Sequence, residues 1–221
     1  MKAGNREYRA PSDLPDVIPV FPLAGALLLP RGQMPLNVFE PRYLTMVDDA
    51  IAGDRLIGMI QPRSDTDDPV PALCDVGCVG RIVSLAETGD GRYLITLAGI
   101  ARFRTIHEIP EARPYRRFRI AATPYAGDFV ERAGEDAVDR KALLRALREF
   151  LDANQLEADW ASVGEATTET LVNALAMMSP YGPAEKQALL EAPDLKTRAD
   201  TLVAITEMSL ARAREGGAPL Q

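Results

Sequence analysis

Short apolar runs separated by turn residues make up the first part of the chain and indicate β-strands. The first run, Val17–Leu23, contains prolines. Because proline has no N–H to donate to a neighbouring strand, this run predicts an edge strand. A later run, Arg92–Ile109, predicts either one long strand or two, with a bend near Gly99. The predicted strands cover residues 17–23, 34–39, 56–60, 76–85, 92–109 and 115–121.

One helix is predicted inside this strand-rich region. Pro41 suits the first position of a helix, where an N–H group would have no intrahelical partner. Apolar residues then recur at spacings of three and four, and Gly53 suits the position just past the helix end. The pattern therefore predicts a helix over Pro41–Ala52. Its apolar face carries Tyr43, Met46, Val47 and Ala50.

After Pro124 the apolar period changes from two to 3.6, which indicates helices. Asp194 suits the N-cap of the last helix, and Pro180 ends an earlier one. Strands followed by helices predict the α+β class. The predicted apolar stripes are Val138, Ala142, Leu144, Leu147 and Leu151; Leu171, Ala174, Leu175 and Met178; and Leu195, Ala199, Leu202 and Ile205.

The same change of period divides the chain into parts. Charge supports the division, since residues 1–126 hold 15 Lys and Arg with 15 Asp and Glu, whereas residues 127–221 hold 10 and 17. We predict a mobile tail over residues 1–13, a β-rich subdomain over 14–123, a linker over 124–134, a helical subdomain over 135–214 and a tail over 215–221.

Net charge and hydropathy restrict the partners and the location. The formal charge of −7 argues against a general affinity for nucleic acids or anionic membranes. Residues 1–11 are polar and lack the apolar core of a secretory leader. The longest apolar run, Leu23–Leu29, is too short to span a bilayer. We therefore expect a cytoplasmic protein without a membrane segment.

Catalytic motifs are absent from the sequence. A P-loop ends in Gly-Lys-Ser/Thr, but none of the four lysines follows a glycine. His107 is the only histidine, and no Gly-x-Ser-x-Gly elbow accompanies it. Spacing alone leaves a Ser–Lys dyad open, although no motif supports one. We expect no enzymatic activity and no cofactor.

Two cysteines complete the search for site chemistry. Cys74 and Cys78 are four residues apart, which on an extended strand separates their Cα atoms by about 13 Å. That distance is too long for a shared zinc ion or a disulfide. We therefore expect free thiols and no metal, in keeping with a reducing compartment.

An Arg-rich stretch offers a possible RNA surface. Arginines alternate with Phe103, Tyr115 and Phe118 on two predicted strands, and aromatic rings and guanidinium groups can bind RNA through stacking and phosphate contacts. The competing interpretation is an Arg-rich β face that pairs with acidic neighbours. The candidate RNA contacts are Arg102, Arg104, Arg117 and Arg119.

The N-terminal motifs also resemble those of a known family. The chain is similar to the N-terminal, substrate-binding domain of Lon proteases, closely over about residues 16–122 and more loosely through the helices. The matching segments are Ile18–Leu23, Leu29–Gly32, Pro35–Tyr43, Val76–Ile82 and Gly91–Gly99.

This resemblance implies a PUA-like pseudo-barrel with one short helix, followed by a helical bundle. It also implies a stand-alone domain without the ATPase and protease modules of Lon. The expected function is non-catalytic binding of exposed, unfolded or hydrophobic polypeptide, or action as an adaptor. The alternative is an RNA-binding, PUA-like module, which the acidic charge disfavours.

The family motif Phe-Glu-Pro-Arg-Tyr has two interpretations. Phe39 and Tyr43 can pack a strand–helix corner, Pro41 can start the helix, and Glu40 or Arg42 can hydrogen-bond exposed backbone. Alternatively, the same residues contact a ligand directly. The sequence leaves both interpretations open.

Overall fold

The computed structural model describes residues 1–63 and 70–216, except for the side chains of residues 213–216. The chain divides into two compact units, Met1–Glu131 and Arg132–Gln221. The first unit contains all the described strands and the second contains helices, so the predicted α+β class is confirmed.

A small hairpin begins the chain. Strands β1 (Lys2–Ala3) and β2 (Arg6–Glu7) pair antiparallel across a turn in which Gly4 has a φ of 57°. Tyr8 follows and is fully buried. Its hydroxyl accepts a hydrogen bond of 3.1 Å from Arg81. The structure thus differs from the predicted mobile tail over residues 1–13, because a buried aromatic ring ties this segment to the β-rich unit.

Six strands form the main sheet. Their order is β4-β7-β6-β5-β3-β8, and β7 pairs again with β8, which closes five of the strands into a barrel. Strand β4 lies outside the ring and pairs with β7. The bounds are β3 Val17–Pro22, β4 Gln33–Val38, β5 Leu56–Pro62, β6 Leu73–Glu87, β7 Tyr93–Glu108 and β8 Arg117–Ala121.

The predicted edge position of β3 is wrong. It pairs in parallel with β5 and antiparallel with β8, so it lies inside the barrel wall. Its prolines are tolerated because the residues after them supply the donors. Val20 N–H donates to the carbonyl of Arg116, and Leu23 N–H donates to that of Ile60. Among the described strands of the six-stranded sheet, β4 is the one with a single partner.

The long run Arg92–Ile109 is one strand with an irregularity, rather than two strands. The pairing of β6 with β7 shifts between Val79 and Gly80, which leaves Ile100 as an extra residue. Next to this bulge, a Cβ atom on Gly99 would lie 2.1 Å from the carbonyl oxygen of Leu29. Only glycine fits there, and the bulge lies next to the position where the sequence predicts a bend.

The barrel interior holds the core of the β-rich unit, and this unit also contains one α-helix. Ile18, Val20 and Phe103 are fully buried inside it. Helix α1 spans Pro41–Ala52, as predicted, and begins with the proline at its first turn. Its buried residues are the four predicted ones, Tyr43, Met46, Val47 and Ala50.

Between the strands and the long helices lie two short 3-10 helices, Thr123–Phe129 and Glu135–Ala137. Asp128 and Phe129 are buried. The predicted linker over residues 124–134 therefore differs from the structure, in which the first part of this segment packs into the β-rich unit. The unit boundary falls after Glu131.

The second unit is helical. The N-caps Asp139, Asp159 and Thr167 each accept backbone N–H bonds at a helix start. Asp194 accepts one from Thr197 at 2.7 Å, as its predicted capping role requires. The described helices are α2 Arg140–Ala153, α3 Trp160–Glu165, α4 Thr168–Met178, α5 Pro183–Glu191 and α6 Leu195–Gly216.

The apolar stripes of these helices agree with the prediction to different degrees. In α6 the four predicted residues are buried, as Leu195 and Leu202 illustrate. In α2 the buried residues are Leu143, Ala146 and Leu147. The predicted stripe is right at Leu147, whereas its other four members, residues 138, 142, 144 and 151, are half-buried. In α4 the predicted inward residue Met178 is 82 % exposed.

Candidate functional site

The Phe-Glu-Pro-Arg-Tyr motif lies where β4 leads into α1, and its residues point in two directions. Tyr43 points inward and its ring packs against that of Phe21, with centroids 4.2 Å apart and planes tilted by 32°. Burial raises the pKa of the Tyr43 phenol above its ordinary value. Pro41 starts the helix. These two residues therefore stabilise the strand–helix corner.

Phe39 and Arg42 point outward. Phe39 is 60 % exposed, with the Arg92 guanidinium carbon 5.8 Å from the centre of its ring. Arg42 lies over the outer side of Tyr43 at 4.6 Å and forms a 2.9 Å ion pair with Glu40. Hydration of an exposed phenylalanine ring is unfavourable, so a ligand that covers the ring is favoured. Together, Phe39 and the stacked Arg42 give this corner a surface that can contact a ligand.

A groove of about 160 Å³ lies beside the motif. Four of its eight described lining residues are prolines, the rings of Tyr43 and Tyr115 supply two more, and Arg42 and Arg116 complete the lining. The walls therefore combine apolar rings with two guanidinium groups, and an apolar side chain can pack against the rings. The prolines are Pro22, Pro62, Pro71 and Pro114.

Arg116 fixes one side of the groove. Its Nη1 donates to the carbonyl oxygen of Pro71 at 2.7 Å, and its Nε and Nη2 donate to both oxygens of Glu108 at 2.8 and 2.6 Å. Its guanidinium carbon lies 5.2 Å from the ring centre of Phe118. The guanidinium group of Arg116 is thus paired with Glu108, with the Pro71 carbonyl and with the Phe118 ring. Its main role is to shape the groove, because its positive charge is already paired with a carboxylate.

Tyr115 separates this groove from a more polar cavity of about 210 Å³. Its hydroxyl donates to Asp49 Oδ2 at 2.5 Å and accepts from Arg113 Nη1 at 2.7 Å. Burial first, and then the neighbouring Asp49 carboxylate, raise the pKa of Tyr115. The phenol therefore stays neutral over the physiological range, and this paired cluster holds the groove wall in place.

The four arginines predicted as RNA contacts do not form one surface. Arg102 is buried, with its Nε and Nη2 donating to the two oxygens of Asp128 at 2.9 and 2.8 Å. Arg102 is therefore not available to a ligand, because the buried carboxylate holds it in the interior. Arg117 pairs with Glu111 at 2.8 Å, Arg119 pairs with Asp16 at 3.1 Å, and Arg104 is exposed.

Chemistry for metal binding is not assembled in the part of the chain that the structure describes. Within it, no three His, Cys, Asp or Glu side chains group so that they could hold a metal ion. His107 is exposed on β7. Both cysteines lie on β6, Cys78 buried and Cys74 half-buried. Among the described helices, none has the length and apolar character needed to cross a membrane.

Sequence reasoning found the motif but missed the groove. The four prolines come from segments up to 92 positions apart, Pro22 and Pro114 being the outermost. The available signal was that Pro22 and Pro62 end strands, while Pro71 and Pro114 lie two and three residues before a strand begins. Nothing in the order of residues shows that these strand ends meet, since the barrel closure brings them together.

The comparisons with known proteins agree with this architecture. A family model described as the ATP-dependent protease La (LON) substrate-binding domain matches residues 17–207, and the chain belongs to this family. "Lon protease 2" of Myxococcus xanthus is 34 % identical over 84 % of this chain, and "Lon protease" of Anaeromyxobacter dehalogenans is 32 % identical over 84 %. This chain spans only 23 % and 22 % of those proteins.

Two solved structures share the fold. The Lon N-terminal domain protein from Xanthomonas campestris matches with a TM-score of 0.61 and 23 % identity, covering 85 % of this chain and 97 % of that one. The N-terminal domain of the Mycobacterium avium complex Lon protease matches with a TM-score of 0.64 and 17 % identity, covering 86 % and 98 %. Both confirm the predicted pseudo-barrel followed by helices.

Proposed function

We propose that this protein is a non-catalytic module that binds exposed apolar segments of polypeptides. The observation that carries the proposal is the proline- and tyrosine-walled groove next to an exposed Phe39, in a member of a substrate-binding family. Action as an adaptor for a protease is one use of such a module. We also propose a cytoplasmic location, because the sequence has two cysteines, Cys74 and Cys78, and no spacing that indicates a disulfide framework.

The physical basis is burial of apolar surface at a rigid site. An unfolded segment can place one apolar side chain in the groove, which contributes roughly 1.5–3 kcal/mol on full burial. Phe39, three positions before the lining residue Arg42, offers further exposed apolar area. The segment loses conformational entropy when it is ordered, so the affinity is modest. Binding of this kind depends little on salt, because apolar burial is not screened.

Fewer of the candidate arginines remain available for the alternative function, RNA binding. Of its four arginines, Arg102 is buried, and Arg117 and Arg119 are held by carboxylates. Only Arg104 is exposed without a described ion pair. No structural observation favours the alternative over polypeptide binding, and it enters the experiment as a competing outcome.

The test is a titration of the full chain against a reduced and alkylated, permanently unfolded model protein. We expect saturable binding that changes less than about twofold between low and high salt. Phe39→Ala should weaken it about three- to tenfold, since the substitution removes exposed aromatic contact area. The matched control is Ile106→Ala, because Ile106 is also 57 % exposed but belongs neither to the motif nor to the groove.

Two results would contradict the proposal. One is no saturable binding of the unfolded protein. The other is binding that Ile106→Ala weakens as much as Phe39→Ala does. Salt-sensitive binding of an RNA oligonucleotide, lost on Arg117→Ala with Arg119→Ala, would establish the RNA alternative in its place.

A further inference from the structure

The exposed face of α2 differs in charge from the rest of the helical unit. Residues 132–221 contain ten Lys and Arg against fifteen Asp and Glu. On α2, however, Lys141, Arg145 and Arg148 are all exposed. Spacings of four and three place them in one row along the helix. The acidic unit therefore presents one basic strip to its surroundings.

The strip has an apolar part as well as charge. Leu144 is half-buried between the three cations, because the buried face of α2 runs through Leu143 and Leu147 instead. The Arg148 guanidinium carbon lies 4.7 Å from the ring centre of Trp160, which is itself 41 % exposed. A cation stacked on an exposed indole ring is a common element of protein recognition surfaces.

A shallow groove of about 490 Å³ follows the strip. Lys141, Leu144, Arg145, Arg148 and Glu149 line it. In the part of the chain that the structure describes, no ion pair is found for any of the three cations. The groove holds three cations and one carboxylate, that of Glu149, so its net charge is positive and an anionic partner is favoured.

We infer that this groove docks a short acidic segment of a partner polypeptide that also carries an apolar residue. The three cations span about 10 Å of helix at 1.5 Å per residue, which matches about three residues of an extended segment. Carboxylates of that segment pair with the cations, while the apolar residue contacts Leu144 and Trp160. This site lies on the helical unit and is separate from the groove beside the family motif.

The charge pattern favours an acidic peptide over RNA or an anionic membrane. The chain carries a net charge of −7, and it repels a large polyanion beyond the short strip. A short acidic segment meets only the local positive charge, since screening removes longer-range repulsion within about 10 Å. The apolar contacts at Leu144 and Trp160 have no role in binding a phosphate backbone.

Trp160 is the only tryptophan, so its fluorescence reports directly on this site. The experiment titrates the full chain with a blocked Glu-Glu-Leu-Glu-Glu peptide and follows the emission of Trp160. We expect a saturable change that weakens about tenfold between 50 and 500 mM salt. A Lys-Lys-Leu-Lys-Lys peptide should produce none.

Charge reversal provides the matched variants. Arg145→Glu with Arg148→Glu should weaken peptide binding at least tenfold, whereas Arg212→Glu, an exposed cation of α6 outside the groove, should leave it within twofold. Arg145→Gln alone should weaken it by a smaller factor, about threefold. Circular dichroism of each variant checks that the helices remain folded.

Three results would overturn the inference. They are no saturable change with the acidic peptide, an equal change with the basic peptide, or equal weakening by Arg212→Glu. Tighter binding of an RNA oligonucleotide or of vesicles rich in phosphatidylserine, with displacement of the peptide, would also overturn it and define a general polyanion surface. Phe39→Ala should not affect these titrations, so failure here is distinguishable from failure at the motif groove.

Discussion

Single residues show how burial changes the role that a side chain can have. Arg102 alternates with aromatic residues in the sequence like its neighbours, but in the structure it is an interior residue. It donates to Asp128 from Nε and Nη2, along one edge of its guanidinium group, and from its own backbone N–H. Its guanidinium carbon lies 4.5 Å from the ring centre of Tyr125. Its role is to join β7 to the 3-10 helix Thr123–Phe129.

Asp128→Ala should therefore destabilise the β-rich unit strongly. Removing one partner of a buried ion pair leaves the other charge uncompensated, which costs about 3–5 kcal/mol. The double variant Arg102→Met with Asp128→Leu should recover most of that loss, since it removes both charges. Urea unfolding followed by circular dichroism measures both. A loss of under about 1 kcal/mol in Asp128→Ala would show that the pair is not buried as described.

Glu135 is a second residue whose position determines its chemistry. Its carboxylate accepts hydrogen bonds from the backbone N–H groups of Thr168 and Glu169 at the start of α4, and from Arg132. Desolvation by burial acts to raise the pKa of Glu135. The hydrogen bonds from Arg132, Glu169 and Thr168 outweigh it, and the pKa lies below its ordinary value of 4.5.

A pH dependence follows from the direction of this shift. Because the pKa is lower in the folded state, Glu135 stabilises the protein above pH 4.5, and this contribution is lost as the pH falls through the folded-state value. Glu135→Gln should cost about 1–2 kcal/mol at pH 7. Melting temperatures at pH 7 and pH 3 check this. The difference between wild type and variant should shrink at pH 3, and an unchanged difference would contradict the capping role.

At the scale of elements, some could be predicted from the local sequence pattern and others depend on tertiary contacts. Helix α1 was predictable in bounds and in face, because a proline start, regular apolar spacing and a following glycine all agree. The N-terminal hairpin was not, because β1 and β2 have two residues each and carry no periodicity. Its position depends on one ring, Tyr8, and on the distant Arg81.

Tyr8→Ala should therefore lower the free energy of unfolding by more than a substitution in a mobile tail would. Truncating a fully buried aromatic side chain costs about 3–5 kcal/mol. Lys2→Ala is the control in the same hairpin. Because Lys2 is exposed, this substitution should change the free energy of unfolding by no more than about 0.5 kcal/mol. Chemical unfolding curves of the two variants make the comparison. Equal, small losses in both would mean that the hairpin is not anchored.

At the scale of the whole molecule, the two units have separate surfaces to offer. The β-rich unit carries a groove lined by prolines, tyrosines and two arginines, and the helical unit carries a basic strip. The sequence has no P-loop, and the described residues do not assemble a metal site. These surfaces are suited to binding, and the proposed function assigns no bond-breaking step to either of them.

We therefore expect the purified protein to hydrolyse neither ATP nor casein. Phosphate release and the appearance of acid-soluble peptides measure the two activities. A contaminating protease is the obvious source of false activity. The control is the Asp128→Ala variant, purified in the same way. Activity of a contaminant should be the same in both preparations, whereas activity of this chain should fall in the destabilised variant. Turnover that co-purifies with the chain and disappears when one of its residues is changed would contradict the non-catalytic proposal.

The sequence by itself determined the elements whose evidence is local. Caps, prolines and apolar spacing fixed α1, the buried face of α6 and the change from strands to helices after Pro124. These features depend on contacts between residues a few positions apart, so their pattern is visible in the order of residues. The motif around Pro41 also carried enough local information to indicate the family.

The tertiary structure alone decided what depends on distant partners. Barrel closure placed β3 in the interior despite its prolines, and brought four prolines together into a groove. On α2, leucines occur on several sides, and packing against α6 selected the face through Leu143 and Leu147. The buried Asp128 removed Arg102 from the surface. In each case a residue far away in the chain set the outcome, and no local pattern encodes that contact.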